Sequence, residues 1–278
     1  MIYLLLAILC SAMISLLMRL SENKITGRVS MLAANYITCF LLGGFCTGFR
    51  NMLPAGVPMG ETFGLAAVNG LLYLLGFVFL QMNIRRNGVV LSSTFMKLGL
   101  LVPMVISVVF FGEMPAPMQI VGFLLAIGAI VLMNTGGGEG EVRFKAGLIL
   151  VLLAGGGCDA MAKVYEEIGN PALSDPYLFY SFGAALILCA GLMLYKKESM
   201  GKWELLFGAL VGVPNYFTAR FLLRSLEDIP AVIVYPTYSV ATILVVTLAG
   251  MAFFKERLGK RQWLAMGVIL GALVLLNI

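Results

Sequence analysis

The stretch FFGEMPAPMQIVGFLLAIGAIVLMN at residues 110–134 recurs as FFKERLGKRQWLAMGVILGALVLLN at residues 253–277. Both stretches follow the pattern F-F-x-E-x5-Q-x8-G-A-x-V-L-x-N, and every matched position is offset by 143 residues. Leucine and glycine coincide easily in apolar sequence, but a Glu, a Gln and an Asn at three fixed spacings do not. The chain is therefore predicted to be an internal duplication, with one unit at residues 1–135 and a second at 146–278.

The composition indicates a protein embedded in a membrane. Of the 278 residues, 60% are hydrophobic and 12% are charged, and the mean hydropathy is +0.98. An ordinary soluble domain carries about 25% charged residues. Because the apolar residues run from one end of the chain to the other, the composition excludes a soluble enzyme, a soluble binding module and a single anchor with a globular head.

The apolar runs divide into ten predicted membrane spans. A helix needs about 20 apolar residues to cross the roughly 30 Å hydrocarbon core. Runs of this length are separated here by short links rich in Gly, Pro and charge, and none of the links has room for a soluble domain. The predicted spans lie at about 2–20, 29–49, 62–83, 89–111, 118–135, 146–165, 176–195, 203–225, 231–254 and 261–278.

The number of spans in each half predicts the symmetry of the fold. Five is odd, so the second unit enters the membrane from the side opposite to the first. The sequence thus predicts an all-α integral membrane protein in which two inverted five-helix repeats surround a central cavity, with a substrate near the midplane between them.

Loop charges predict the orientation. Fourteen of the 19 Lys and Arg residues lie in the odd-numbered loops, whereas the even-numbered loops carry seven of the 14 acidic residues. Because cytoplasmic loops of membrane proteins are enriched in Lys and Arg, the odd loops are predicted to be cytoplasmic and both termini to lie outside. The same rule accounts for the net charge of +5 without nucleic-acid binding.

Two five-span halves, each ending in an F-F-x-E turn and a Gly/Ala-rich fifth helix, resemble the drug/metabolite transporter superfamily, in its EamA-like branch. The resemblance covers essentially the whole chain. It implies a bacterial inner-membrane carrier in which helices one to four and six to nine surround the cavity, while helices five and ten buttress it. Familiar members keep both termini in the cytoplasm, opposite to the charge bias here, so the resemblance does not assign import or export.

Charged side chains deep in a span cost free energy unless they are paired or hydrated, so they are candidates for function. Lys97 lies eight residues into the fourth predicted span, roughly 12 Å along the helix axis. In the functional interpretation, Lys97 faces the cavity and binds an anionic group. In the structural interpretation, its side chain extends to the membrane interface or pairs with a carboxylate on another helix. Asp159 lies well inside the sixth span and either carries coupling protons or pairs with Lys163 four residues on.

Amides and tyrosines at depth complete the predicted site. Tyrosines near span ends belong to the interfacial belt, but several here are deeper, where they line a polar pocket or join helices by hydrogen bonds. The predicted substrate-binding residues are Lys97, Tyr36, Asn69, Tyr73, Asp159, Tyr180, Asn215, Tyr216 and Tyr238.

Other polar and small residues are given structural roles. Glu113 and Glu256 are predicted to order turns, and Arg220 either snorkels to the outer interface or forms a basic mouth. Gly155-Gly156-Gly157 indicates a hinge or a close helix crossing. Gly267-x3-Gly271 is a small-residue face that packs its own half together or forms a homodimer.

The leading functional prediction is a secondary-active carrier of a small polar metabolite, such as an amino acid or organic acid, with proton coupling through Asp159 or Lys97. Efflux of cationic drugs and a role as a lipid-linked sugar flippase component are the alternatives. The chain has no histidine, no catalytic triad and no P-loop, so the sequence predicts no enzyme activity, no cofactor, no metal and no direct use of ATP.

Overall fold

The computed structural model describes residues 1–22, 24–49, 52–54, 57–87, 92, 95–134, 145–254 and 259–277. Ten helices form within these ranges. Each overlaps one predicted span, and the prediction of an all-α, ten-helix membrane fold is confirmed. The helices are α1 (Ile2–Ser21), α2 (Arg28–Thr47), α3 (Gly60–Asn87), α4 (Phe95–Phe111), α5 (Pro117–Asn134), α6 (Lys145–Ile168), α7 (Ser174–Lys196), α8 (Lys202–Leu226), α9 (Ala231–Phe254) and α10 (Lys260–Leu276).

The helices differ in how fully they match a membrane span. Seven of those described are long and apolar enough to cross a bilayer, while α4 and the Pro117–Leu132 part of α5 are shorter apolar helices. A 3-10 turn at Leu98–Leu100 interrupts α4 just after Lys97. The predicted fourth span begins at residue 89, but residues 88–91, 93 and 94 lie outside the described part of the chain.

The two halves of the chain interleave. Helix α1 packs against α8 and α9, and α6 packs in the corresponding way against α3 and α4. Helix α2 contacts α7 and α8, and α7 contacts α2 and α3. Exchanging each helix of the first half for its counterpart in the second half therefore reproduces these packing pairs. A pattern of this kind is expected when two similar units are related by a two-fold axis.

Helices α5 and α10 pack mainly against each other. Ile130 of α5 and Ile269 and Leu276 of α10 are fully buried in a cluster that Leu100 and Val240 join from α4 and α9. The two helices thus lie beside the other eight. A methyl group on Gly267 or Gly271 would meet no described atom within 4 Å, so this face does not pack the second half together.

Glycines set the closest approaches between helices. A methyl group on Gly208 or Gly212 of α8 would meet the backbone of α2, at 2.6 Å from the Met31 oxygen and 2.7 Å from the Asn35 oxygen. Gly156 of α6 meets Gly99 of α4 in the same way. The Gly155–Gly157 stretch therefore forms a close helix crossing, and small residues allow this approach because no side chain separates the backbones.

Two carboxylates stabilise the start of α2. Glu204, which is buried on α8, accepts hydrogen bonds from the backbone N–H groups of Thr26 (2.8 Å) and Gly27 (3.2 Å). Glu198, in the loop before α8, accepts from Val29 and Ser30 at 3.0 and 3.1 Å. The first N–H groups of a helix have no partner within the helix and favour negative charge, so these bonds fix α2 to the second half.

Candidate functional site

A cavity of about 140 Å³ lies between the two halves of the chain. Its wall is built from α1, α3, α6, α7, α8 and α9, so both predicted units contribute to it. Five of the nine predicted site residues line it: Asn69, Tyr73, Asp159, Asn215 and Tyr238. Tyr177 and Thr218, which were not predicted from the sequence, also line the cavity.

Asp159 brings a carboxylate to the cavity wall. The hydroxyl of Tyr235 on α9 donates to the backbone oxygen of Asp159 at 2.6 Å, which anchors this turn of α6. The approach of Gly156 to Gly99 brings α4 close at the same level, three residues before Asp159 and two after Lys97. This crossing therefore places the helix that carries Lys97 beside the helix that carries Asp159.

The alternative prediction for Asp159, a local pair with Lys163, is wrong. The Lys163 ammonium lies 2.8 Å from Glu113, 2.7 Å from Glu166 and 2.5 Å from Glu167. With three carboxylates around it, Lys163 is already neutralised although its side chain is almost completely buried. Asp159 is thus separated from the lysine on its own helix.

Two oxygens on the cavity wall have no hydrogen-bond partner within the described part of the chain. They are Oδ1 of Asn69 and Oγ1 of Thr218, and both are buried. Leaving a buried polar atom unpaired costs about 1–3 kcal/mol. Both atoms belong to residues of the cavity wall, so the unpaired groups lie in side chains that a ligand in the cavity would contact.

Asn215 is oriented by the helix behind it. Its amide nitrogen donates to Oδ1 of Asn35 on α2 at 3.2 Å, and the nearby thiol of Cys39 donates to the backbone oxygen of Gly212 at 3.3 Å. Asn35 and Cys39 are both buried. The amide nitrogen of Asn215 is therefore held by α2.

The other predicted residues do not line the cavity. Tyr36 and Tyr216 are buried in an aromatic layer around Phe182, with Tyr216 6.0 Å from Phe182 between ring centroids. Tyr180 lies towards one end of the helices, where its hydroxyl donates to the Met52 backbone oxygen at 3.3 Å. Lys97 lies on α4, two residues before the contact of Gly99 with α6, and is not among the residues that line the cavity.

Thr218 lies on the same face of α8 as Asn215, and its role becomes visible only when that whole face is considered. Residues 215, 218, 219 and 222 all line the cavity, with the i, i+3, i+4, i+7 spacing of one helix face. Asn215 was predicted from its amide alone. Threonine is common where membrane helices pack, so Thr218 carried no signal without its neighbours on that face.

Glu113 joins the helices α4, α6 and α9. Its carboxylate contacts Lys163 of α6 and accepts hydrogen bonds from the Ser107 hydroxyl and, at 3.3 Å, the Val232 backbone N–H at the start of α9. Burial raises the pKa of the Glu113 carboxyl, but hydrogen bonds from Lys163 and Ser107 outweigh burial and hold the pKa below its ordinary value. The prediction that Glu113 orders its turn is confirmed; Glu256 lies outside the described residues.

Arg220 is paired rather than free. Its guanidinium lies 2.8 Å from the Asp175 carboxylate at the start of α7. This ion pair links α8 to α7 and leaves both sequence-based alternatives for Arg220, snorkelling and a basic mouth, as predictions. Arg224, one turn further along α8, lies 5.8 Å from the ring centroid of Tyr3.

Known proteins resemble both the sequence and the fold. The profile of the EamA-like transporter family matches residues 146–278. An uncharacterized protein of Haemophilus influenzae is 27% identical over 276 residues, covering 96% of this chain and 94% of that protein. The probable 4-amino-4-deoxy-L-arabinose-phosphoundecaprenol flippase subunit ArnE of Photorhabdus laumondii is 32% identical over 92 residues, covering 33% of this chain and 77% of ArnE.

A solved crystal structure shares the fold across the whole length of the chain. It superposes with a TM-score of 0.77 over 99% of this chain and 98% of the other, at 13% sequence identity. The fold is therefore one already observed by crystallography. The relatives, the family profile and the ten-helix architecture agree, and the chain is a multi-pass membrane protein that belongs to the EamA-like transporter family.

Proposed function

We propose that the protein is a secondary-active transporter that carries a small polar metabolite across the membrane by alternating access. One observation carries the proposal: a cavity between the two halves is lined by Asp159 and by Asn69 and Thr218, two residues whose buried oxygens have no partner within the described part of the chain. Polar groups of this kind are expensive within a membrane and are found where a substrate or ion passes.

The size of the cavity favours a small substrate. A cavity of about 150 Å³ holds a benzene-sized molecule, whereas sites for drug-sized ligands have about 300–1,000 Å³. The observed volume of about 140 Å³ fits an amino acid or a short organic acid. In this conformation, it is too small for a large lipophilic drug.

The polarity of the cavity favours a substrate with both positive and negative character. Asp159, Asn69 and Asn215 supply oxygens that accept hydrogen bonds from an ammonium or amide group. We propose that Lys97, on the helix that crosses α6 beside the cavity, supplies the opposite charge for a carboxylate. An amino acid can use both the acceptor oxygens and the Lys97 ammonium, whereas an organic acid can use only the ammonium.

The packing of the helices supports a mechanism of alternating access. The packing pairs of the first half recur in the second, as expected for inverted repeats at residues 1–135 and 146–278. Such repeats in transporters rock against each other around a site at their interface. We propose that protons drive this cycle through Asp159 or Lys97, since these are the charges beside the cavity wall.

The resemblance to ArnE supports an alternative, a component of a lipid-linked sugar flippase. A second alternative is efflux of lipophilic cations, for which Asp159 would supply the negative charge. The volume of the cavity counts against both alternatives. A homodimer through the Gly267 and Gly271 face stays a prediction.

The relatives are bacterial proteins, which supports a location in a bacterial inner membrane. The loop charges favour an arrangement with both termini outside the cytoplasm. A phosphatase reporter that is active only in the periplasm, fused after the last residue, tests this orientation. We expect an active reporter, and a silent one would reverse the assignment of the two faces.

A ligand screen tests the proposed substrate class. Purified protein is heated with amino acids, organic acids, nucleosides or quaternary cations, and we expect an amino or organic acid to raise the unfolding temperature. Lys97→Ala should lose that stabilisation. Lys145→Ala, which removes an exposed lysine at the start of α6, should keep it. Stabilisation by lipophilic cations alone would overturn the proposal in favour of drug efflux.

A further inference from the structure

A second cavity, of about 260 Å³, lies between α3 and α7 at the end where both helices finish. It is lined by Val78, Gln81, Met82, Arg86 and Lys196. These residues are separate from the wall of the central cavity, so the proposed transport cycle does not account for them.

The polarity of this second cavity changes along its length. Arg86 lies two residues beyond the apolar Gly60–Ile84 part of α3, and Lys196 is the last residue of the span Pro171–Lys196. Both cations therefore lie at the level where two neighbouring spans leave the hydrocarbon. Met82 and Val78 lie one and two turns deeper on the face of α3 that carries Arg86.

We infer that this cavity binds the head group of an anionic phospholipid. The phosphate would lie between the Arg86 guanidinium and the Lys196 ammonium, while the acyl chains would run past Val78 and Met82. Both cations are exposed, so a lipid in the surrounding membrane can reach them. Basic pockets between membrane helices bind anionic head groups by this combination of charge and apolar surface.

The surface beside the cavity suits a lipid better than a free phosphate ion. Leu194 and Tyr195, which precede Lys196, are 73% and 85% exposed, as expected of side chains that face lipid and its interface. An inorganic phosphate would need the two cations but would gain nothing from Val78 and Met82. An amphiphile contacts both parts of the cavity.

The sequence limits this arrangement to one end of the molecule. At the repeat offset of 143 residues, the counterpart of Lys196 is Leu53 and the counterpart of Arg86 is Ile229. Neither counterpart is charged. The cations also belong to the basic odd-numbered loops. A lipid site at this end alone would give the two membrane leaflets different effects on the protein.

Native mass spectrometry of the delipidated protein in detergent tests the inference. The protein is titrated with phosphatidylglycerol, or with phosphatidylcholine that has the same acyl chains. We expect tighter binding of phosphatidylglycerol to wild type, and about a tenfold or greater loss in R86Q/K196Q. The control R28Q/K202Q removes two exposed charges from the same end of the molecule, away from the cavity, and should change binding by no more than about twofold.

Two results would overturn the inference. Equal losses in the two double variants would show that net charge, and not this cavity, attracts the lipid. Competition by inorganic phosphate as strong as that by the lipid would show a site for small anions. Thermal unfolding of each variant without added lipid verifies that it is folded, and Arg86→Glu gives a second test because it should abolish the preference for phosphatidylglycerol.

Discussion

Gly99 of α4 and Gly156 of α6 meet backbone to backbone: a methyl group on Gly99 would lie 2.9 Å from the Gly156 nitrogen. This contact sets the distance between the helix that carries Lys97 and the helix that carries Asp159. The helices that carry the two deep charges of the proposed site thus meet at residues that have no side chains.

Gly156→Ala should disrupt this crossing. The added methyl group would collide with the Gly99 backbone oxygen, and neither atom belongs to a flexible side chain. We expect a loss of about 1–3 kcal/mol in unfolding free energy, together with weaker transport, because α4 and α6 must separate. Thermal unfolding in detergent and transport by reconstituted protein measure the two effects.

Gly191→Ala is the matched control for that substitution. Gly191 lies inside α7, and a methyl group there would meet no described atom within 4 Å. Its replacement should leave stability unchanged or raise it slightly, since alanine favours helix more than glycine does. Equal unfolding temperatures for the two variants would show that the α4–α6 crossing tolerates a side chain.

Thr218→Val should separate binding from stability. The Thr218 hydroxyl is buried without a partner among the described residues, so its removal should not destabilise the fold. Because the hydroxyl belongs to the cavity wall, we expect weaker substrate binding, by about tenfold for one lost hydrogen bond. Binding isotherms and unfolding curves of the same preparation give both quantities.

Thr242→Val provides the comparison. The hydroxyl of Thr242 is also buried and unpaired within the described ranges, but Thr242 does not line the cavity. Its replacement should leave substrate affinity unchanged. If both valine variants lowered affinity equally, the cavity would not be the binding site.

The carboxylates around Lys163 should make stability depend on pH. The pKa of the Glu113 carboxyl lies below its ordinary value of about 4.3. A lowered pKa means that ionised Glu113 stabilises the fold above about pH 4.3, and this contribution is lost as the pH falls through the folded-state value. Glu113→Gln should therefore be less stable than wild type at pH 7, and the difference should shrink below about pH 4.

Removing the lysine should cost more than removing one carboxylate. Lys163→Met would leave Glu113, Glu166 and Glu167 close together without the cation that they share. Breaking a buried ion pair from one side costs about 3–5 kcal/mol. An unfolding temperature for Lys163→Met above that of Glu113→Gln would contradict this account of the cluster.

Apolar length and repeat spacing were sufficient to predict the ten helices. The site was only partly predictable, because one sequence does not show which helices cross. Asp159 and Lys163 share a helix face in sequence, yet the lysine bonds to Glu113, 50 residues away. In the same way, the approach of Lys97 to Asp159 depends on the Gly99–Gly156 contact, which helical spacing alone does not contain.

Two tyrosines at equivalent positions of the repeat also show that a sequence does not reveal which residues line the cavity. Tyr73 and Tyr216 are counterparts in the repeat, and both lie deep enough to be predicted as cavity residues. Both rings pack against Phe182, at 5.3 Å for Tyr73 and 6.0 Å for Tyr216 between ring centroids, but only Tyr73 also lines the cavity. Tertiary packing decides which face of each helix turns towards the cavity. In α8, Gly208 and Gly212 lie against the backbone of α2 and so set the face that packs on that helix.

Proton-driven accumulation in proteoliposomes tests the central claim most directly. Wild type and Asp159→Asn are reconstituted and given the acid that stabilises the protein in the ligand screen, with and without an imposed pH gradient. Asp228→Asn, at an exposed turn, is the control. We predict gradient-driven accumulation by wild type and by Asp228→Asn, and its loss in Asp159→Asn. Undiminished accumulation by Asp159→Asn would contradict the assignment of Asp159 as the coupling residue of the central cavity.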